Sequence, residues 1–151
     1  MTLYAETSAV LHWLFAEEGG EAIRAALAAA EKVTSSRLAV IETRRVVRRA
    51  EREGRITAAQ GADLRAVFAQ ATSTWAILEI SEEVARRAED GFPSEPVRTL
   101  DAIHLASALF LRESFPDLVI LTAGERVRQR RPPRISGGGP SHVMGLRAPA
   151  L

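Results

Sequence analysis

The stretch TLYAETSAV, residues 2–10, decides how the chain is read. TLYAE reads as a strand that ends in a carboxylate, Glu6. Two hydroxyl residues, Thr7 and Ser8, come next, and either can cap a helix running through about Phe15. A strand that turns directly into a helix, with an acid at the junction, is the opening of an α/β fold. Glu6 is then either an ordinary junction charge or part of a site.

Outward from that junction, strand-like and helix-like runs keep alternating. GGEAIRAALAAAE (19–31) reads as a second helix, and KVTSS (32–36) as a short strand ending in capping serines. A long helix is expected from Arg37 to about Glu53, stopping at Gly54, because glycine is favoured just past a helix end. Thr57 caps another helix, to about Ala71. WAILEIS (75–81) is a strand with Ser81 as the next cap, and EEVARRAED (82–90) is a helix ending at Gly91. The two prolines of FPSEP (92–96) make it a loop. VRTLDAIHLASALFLRE (97–113) is a strongly apolar helix. LVILTA (118–123) is a continuous apolar run of the kind buried in parallel sheets. ERVRQRR (125–131) reads as a short basic helix. From Pro132 the chain is rich in proline and glycine, with a short strand expected at 134–136 and then a tail that includes the glycines at 137–139. These last lack the Lys-Ser/Thr of a phosphate loop.

Strands separated by helical runs imply a three-layer α/β/α sandwich with a mostly parallel central sheet of about five short strands. One domain is expected over 1–131, followed by the Pro/Gly-rich segment 132–151. A chain of 151 residues is long enough for one sizeable core. With 46% apolar and 26% charged residues it reads as globular and soluble. No apolar stretch is long enough to span a membrane, and no basic segment precedes the first one, so the expected location is the cytoplasm. The absence of cysteine excludes disulfides and thiolate metal sites. Lys32 is the only lysine among 20 basic residues. Arginine suits phosphate recognition through its planar fork, although arginine-favouring codon usage is the simpler account of the excess.

Three acids stand where helical periodicity or strand position calls for apolar residues. Leu38, Glu42 and Val46 share one face of the long helix, so Glu42 interrupts an apolar stripe. Asp101, Leu105 and Leu109 form a similar row in the first turns of an apolar helix. Glu6 lies at the C-terminal end of a central strand, where open parallel sheets gather their ligand sites. All three are expected to point inward near one sheet edge. Carboxylates in apolar surroundings need a partner or an ion, and oxygen ligands without Cys or His suit Mg2+ or Mn2+. Each acid also has an ordinary role open to it: Glu6 as a solvated junction residue, Glu42 paired with Arg45 or Arg49, Asp101 complementing its helix dipole.

Four segments together resemble the PIN-domain family, and within it the VapC toxins of toxin–antitoxin pairs: LYAETSAVLHWLF (3–15), VTSSRLAVIETRRVVRR (33–49), VRTLDAIHLASALFL (97–111) and LVILTAGERVRQ (118–129). In that family the first segment usually reads Asp-Thr-Ser-Ala, the second carries a helical glutamate, the third reads Asp-Ala-Ile/Leu-His and the fourth Thr-x-Asp. The resemblance implies a Mg2+- or Mn2+-dependent endoribonuclease acting on RNA, inhibited by a VapB-like antitoxin and usually a homodimer. It carries the metal-ligand and catalytic roles to Glu6, Glu42 and Asp101. Two positions depart from the pattern. Glu6 is one methylene longer than the usual aspartate, a shift of roughly an ångström that matters to an ion as exacting as Mg2+. Gly124 falls on the fourth acidic position, and Glu125, one residue along, is the candidate to stand in. The alternative is a catalytically weakened PIN domain that binds RNA or protein. A third reading is a non-enzymatic α/β module with its carboxylates paired to arginines.

Thr7 or Ser8 can hold a water or phosphate at the helix start, or simply cap it. Thr122 is a candidate support for the same cleft. Arg44, Arg45 and Arg48 after Glu42, and Arg126 after the last clear strand, are candidate contacts for RNA phosphates or an acidic antitoxin, or else solvated surface. His104 is expected to be a core or hydrogen-bonded residue rather than a general base, and Trp13 and Trp75 to be core rather than base-stacking platforms.

Overall fold

The computed structural model describes residues 1–93, 95–123, 128–130 and 146–147. The elements, in order, are β1 (Thr2–Ala5), α1 (Thr7–Leu14), α2 (Gly20–Ala29), β2 (Lys32–Ser36), α3 (Arg37–Arg52), α4 (Ala58–Thr72), β3 (Ala76–Leu78), α5 (Glu82–Glu89), α6 (Thr99–Ser114), β4 (Val119–Thr122), β5 (Arg128–Arg130) and β6 (Leu146–Arg147). The strands form one sheet in the order β5-β4-β1-β2-β3-β6. The inner four are parallel, with Leu3 opposite both Val33 and Val119, and β5 and β6 pair antiparallel at the two edges.

That order explains the layering. The chain steps from β1 to β2 to β3 in one direction, then returns across the sheet to place β4 on the other side of β1. Parallel crossovers are right-handed, so the first two put their helices on one face and the return puts its helices on the other. The core follows suit. Side chains of α1, α3 and α4, among them Val10, Leu14, Val40 and Phe68, pack with Ala5 and Ile77 on one face, and Ile23 of α2 packs there with Leu3 and Leu121. Val84 of α5 and Ala106, Ala108 and Leu111 of α6 pack with Tyr4, Leu78 and Ile120 on the other. Tyr4 thus faces α6, while its neighbours Leu3 and Ala5 face α1 and α2, as the two-residue strand period requires. The expected α/β/α sandwich is present, with six strands among the described residues rather than about five.

Local chemistry sets the helix ends. Ser36 caps α3 by accepting Ala39 N–H at 3.3 Å, and Gly54 ends it at a φ of 69° that glycine adopts without strain. Thr57 and Gln60 form a reciprocal capping box on α4, and Ser81 caps α5. α1 differs from expectation: its cap is Glu6, whose carboxylate accepts Ser8 N–H, and Thr7 is already the first helical residue. A second correction concerns ERVRQRR, read as a basic helix. Residues 128–130 are instead a strand, with Gln129 opposite Leu121. An exposed strand edge offers a row of unpaired N–H and C=O groups, and this pairing outweighs local helix propensity. The strand expected at 134–136, the glycines at 137–139 and most of the 132–151 segment lie outside the described residues. Trp75 is buried, with Trp13 packed against its cluster at 6.4 Å between ring centroids. Among the described residues no helix is long and apolar enough to cross a membrane.

Candidate active site

The strand order reverses beside β1, and ligand sites of open α/β sheets gather at such switch points, outside the strand carboxyl ends. There a cleft of about 390 Å³ is lined by Glu6, Thr7, Ser8, Leu11, Glu42, Arg98, Thr99, Leu100, Asp101 and His104. Three segments build it. Glu6 follows β1 directly, Glu42 projects from the second turn of α3, and Asp101 and His104 come from the first two turns of α6. The three acids singled out in sequence therefore share one cleft. Thr122 is not among its lining residues; its hydroxyl donates to Ala123 C=O at 3.4 Å.

Each acid is held differently. Both Glu6 oxygens turn onto Ser8: one accepts the backbone N–H at 3.2 Å and the other the hydroxyl. Ser8 Oγ in turn accepts Ala123 N–H at 2.9 Å, and Glu6 N–H donates to Leu121 C=O at 3.1 Å, so this corner is tied to the end of β4. Glu42 Oε2 accepts the Thr7 hydroxyl and lies 2.9 Å from His104 Nε2. The Glu42 side chain is 23% exposed and that of His104 only 7%. Asp101, expected to point inward, is exposed. It occupies the first turn of α6, before the apolar face of that helix closes against the sheet. Among the described residues none of the three acids pairs with an arginine.

His104 is buried and hydrogen-bonded on both ring nitrogens, as expected of a core histidine. What the sequence did not reveal is its partners: Nδ1 lies 2.9 Å from the Tyr4 hydroxyl, and Nε2 lies 3.1 Å from Thr7 Oγ1 besides its contact with Glu42. Tyr4 is fully buried. Burial, with a smaller push from the nearby Glu6 and Glu42 charges, holds its hydroxyl protonated far above the ordinary tyrosine range, against the opposing influence of the Ser36 and Ser107 hydroxyls. Arg98, which precedes α6 and lines the cleft, was also missed; its signal was its place three residues before Asp101.

All three acids are hard oxygen donors, which fits Mg2+ or Mn2+ in kind. Their arrangement is open: among the described residues no three acidic or imidazole groups lie close enough together to hold an ion. Gly124, Glu125 and Arg126 lie outside the described residues. The exposed Arg44, Arg45 and Arg48 run along α3 away from Glu42, together with Arg49 and Arg52. None of these five has a carboxylate partner among the described residues. Helical geometry sets Arg45, Arg49 and Arg52, at three, seven and ten residues beyond Glu42, on its side of the helix.

A parallel sheet with helices on both faces, carrying acids outside its strand carboxyl ends, is the architecture of a PIN domain, and the PIN-domain family model matches residues 3–131. The chain belongs to the PIN-domain family. Its fold is similar to the crystal structure of VapC20 from Mycobacterium tuberculosis, described as a Sarcin-Ricin loop cleaving toxin, with a TM-score of 0.53 and 12% identity over 76% of this chain and 83% of that one. No curated protein matches the sequence.

Proposed function

We propose that this chain is an endoribonuclease of the VapC kind, hydrolysing RNA phosphodiester bonds with Mg2+ or Mn2+ and held in check by a cognate VapB-like antitoxin. The observation that carries the reading is the shared cleft of Glu6, Glu42 and Asp101 in a chain of PIN-domain family. Since their side chains are not gathered into a closed site, those three would hold the ion directly or through bound water, with Glu125 the candidate fourth. Such an ion supplies a Lewis acid for the phosphate and a bound water of lowered pKa.

The chain's own groups supply binding and orientation. The first turns of α1 and α6 border the cleft, and the N–H groups of a helix start favour an anion such as the scissile phosphate. Thr7 and Ser8 serve this site by fixing carboxylates, since their hydroxyls are engaged with Glu42 and Glu6. Arg44, Arg45, Arg48 and Arg98 are suited to RNA phosphates, and an acidic antitoxin that covered them would block the same path. On this reading the protein acts in the cytoplasm as a homodimer.

One observation favours a second reading, a catalytically weakened PIN domain that works by binding. Both oxygens of Glu6 are occupied by Ser8, so the longer acid at this position is folded back onto the helix start. Calorimetric titration with Mn2+, using Glu42→Gln and Asp101→Asn as controls, separates the two. Binding by the wild type that both controls lose, with divalent-dependent RNA cleavage, supports the nuclease. No binding by the wild type would sink it, and binding without cleavage of varied RNAs favours the second reading.

A further inference from the structure

The geometry points to His104 and Tyr4 as positioning residues: a hydrogen-bond chain of fixed polarity, Tyr4 O–H to Nδ1 and Nε2–H to Glu42 Oε2, locks the Glu42 carboxylate with Oε1 left for the cleft. Its consequence for ion binding rests on the reading of Glu42 as a ligand; the lock itself does not.

The polarity follows from the donors. Tyr4 lies fully buried on β1, facing α6, and its phenolic O–H is a hydrogen-bond donor. His104 Nδ1, at 2.9 Å, is the acceptor, so that nitrogen is bare. The other ring nitrogen, Nε2, faces Glu42 Oε2 at 2.9 Å, and an N–H there is what a carboxylate oxygen accepts. This tautomer is assigned from the network. It satisfies every group without a buried charge on the ring, whereas the opposite tautomer would set a bare nitrogen against a carboxylate oxygen. The Thr7 hydroxyl donates to the same Oε2. Oε2 therefore receives two hydrogen bonds, and no described residue donates to Oε1.

Tyr4 is on β1, Glu42 on α3 and His104 on α6, so the chain of bonds passes from one helical layer to the other by the carboxyl end of the central strand β1. A glutamate has three rotatable bonds, and a ligand carboxylate left free must lose that freedom on binding. Held in advance by His104 and Thr7, it is already oriented. Partners of this kind typically change metal affinity by about 10–100-fold when removed.

Two measurements on the full chain test the proposal. In metal-free wild type, nitrogen NMR of the His104 ring should report a neutral imidazole protonated on Nε2; a ring protonated on Nδ1, or on both nitrogens, overturns the polarity. Mn2+ calorimetry should then find His104→Leu weakened by about 10–100-fold, with His104→Gln, whose side-chain N–H can reach Glu42, recovering most of the loss. Equal affinity of the wild type and a folded His104→Leu overturns the positioning role. An Nε2–H ring in a wild type that binds no Mn2+ supports the lock while overturning the nuclease reading.

Discussion

Ser8 holds both oxygens of the Glu6 carboxylate, one through its backbone N–H and one through its hydroxyl, and Glu6 is thereby the N-cap of α1. The acid at the candidate site is also a structural cap, so substitution there has two separable effects. Glu6→Ala should destabilise the fold by about 1 kcal/mol, the usual loss of a good N-cap. Glu6→Asp should keep most of that stability, because aspartate caps at least as well. Urea unfolding of the three proteins checks this, and an alanine variant as stable as the wild type would show that the cap contributes nothing.

The same serine has a second load. Its Oγ accepts Ala123 N–H at 2.9 Å at the end of β4. Ser8→Ala should free that amide and one oxygen of the Glu6 carboxylate, the other keeping the Ser8 backbone N–H, at a cost of about 1–3 kcal/mol. Hydrogen exchange should locate the change, with the Ala123 amide losing protection while the amides of β2 keep theirs. Uniform loss of protection across the sheet would contradict a local tie.

Tyr4 gives a pH prediction whose sign is fixed. Its hydroxyl ionises far above the ordinary range in the folded protein because it is buried, whereas in the unfolded chain it ionises near pH 10. The raised folded value means that its contribution is complete below about pH 10 and is lost as pH rises beyond it. Tyr4 is the only tyrosine in the chain, so phenolate absorbance follows it alone and should appear together with unfolding rather than before it. Tyr4→Phe should cost about 1–3 kcal/mol near neutrality, because His104 Nδ1 loses its donor. That deficit relative to wild type should narrow above pH 10. A phenolate signal near pH 10 in still-folded protein would contradict the buried setting of Tyr4.

What could be read from sequence, and what could not, divides by distance along the chain. The period of residues 37–52, the cap at Thr57 and the apolar run 118–122 are local signals, and each lies where expected. Glu42 betrayed itself by interrupting a stripe. The partners of His104 left no such mark, because Tyr4, Thr7 and Glu42 are 100, 97 and 62 residues away. The α1 cap was misassigned because Thr7 and Ser8 are good cap residues, and nothing local announces that their hydroxyls are drawn off to two carboxylates. Asp101 was expected inward from the apolar character of α6, but in its first turn only Ala102 is buried, and Thr99, Leu100 and Asp101 face out. The strand at 128–130 was missed because an edge pairing depends on the neighbouring strand, not on its own sequence.

The arginines of α3 yield the prediction that distinguishes their two proposed partners. Arg45, Arg49 and Arg52 lie on the Glu42 side of the helix, exposed and without carboxylate partners among the described residues. Successive members are about 6 and 4.5 Å apart along the axis at the helical rise per residue, a spacing that lets them follow one phosphate backbone from the cleft outward. Each phosphate neutralised on a single strand contributes about −0.7 to the slope of log affinity against log salt. Replacing all three by glutamine should therefore flatten that slope by about 2 units for a single-stranded RNA. Fluorescence anisotropy in chelator measures it without cleavage, and unfolding midpoints within about 0.5 kcal/mol of wild type are expected of surface changes. An unchanged slope, with binding of an acidic antitoxin lost instead, would assign the stripe to the inhibitor rather than to RNA.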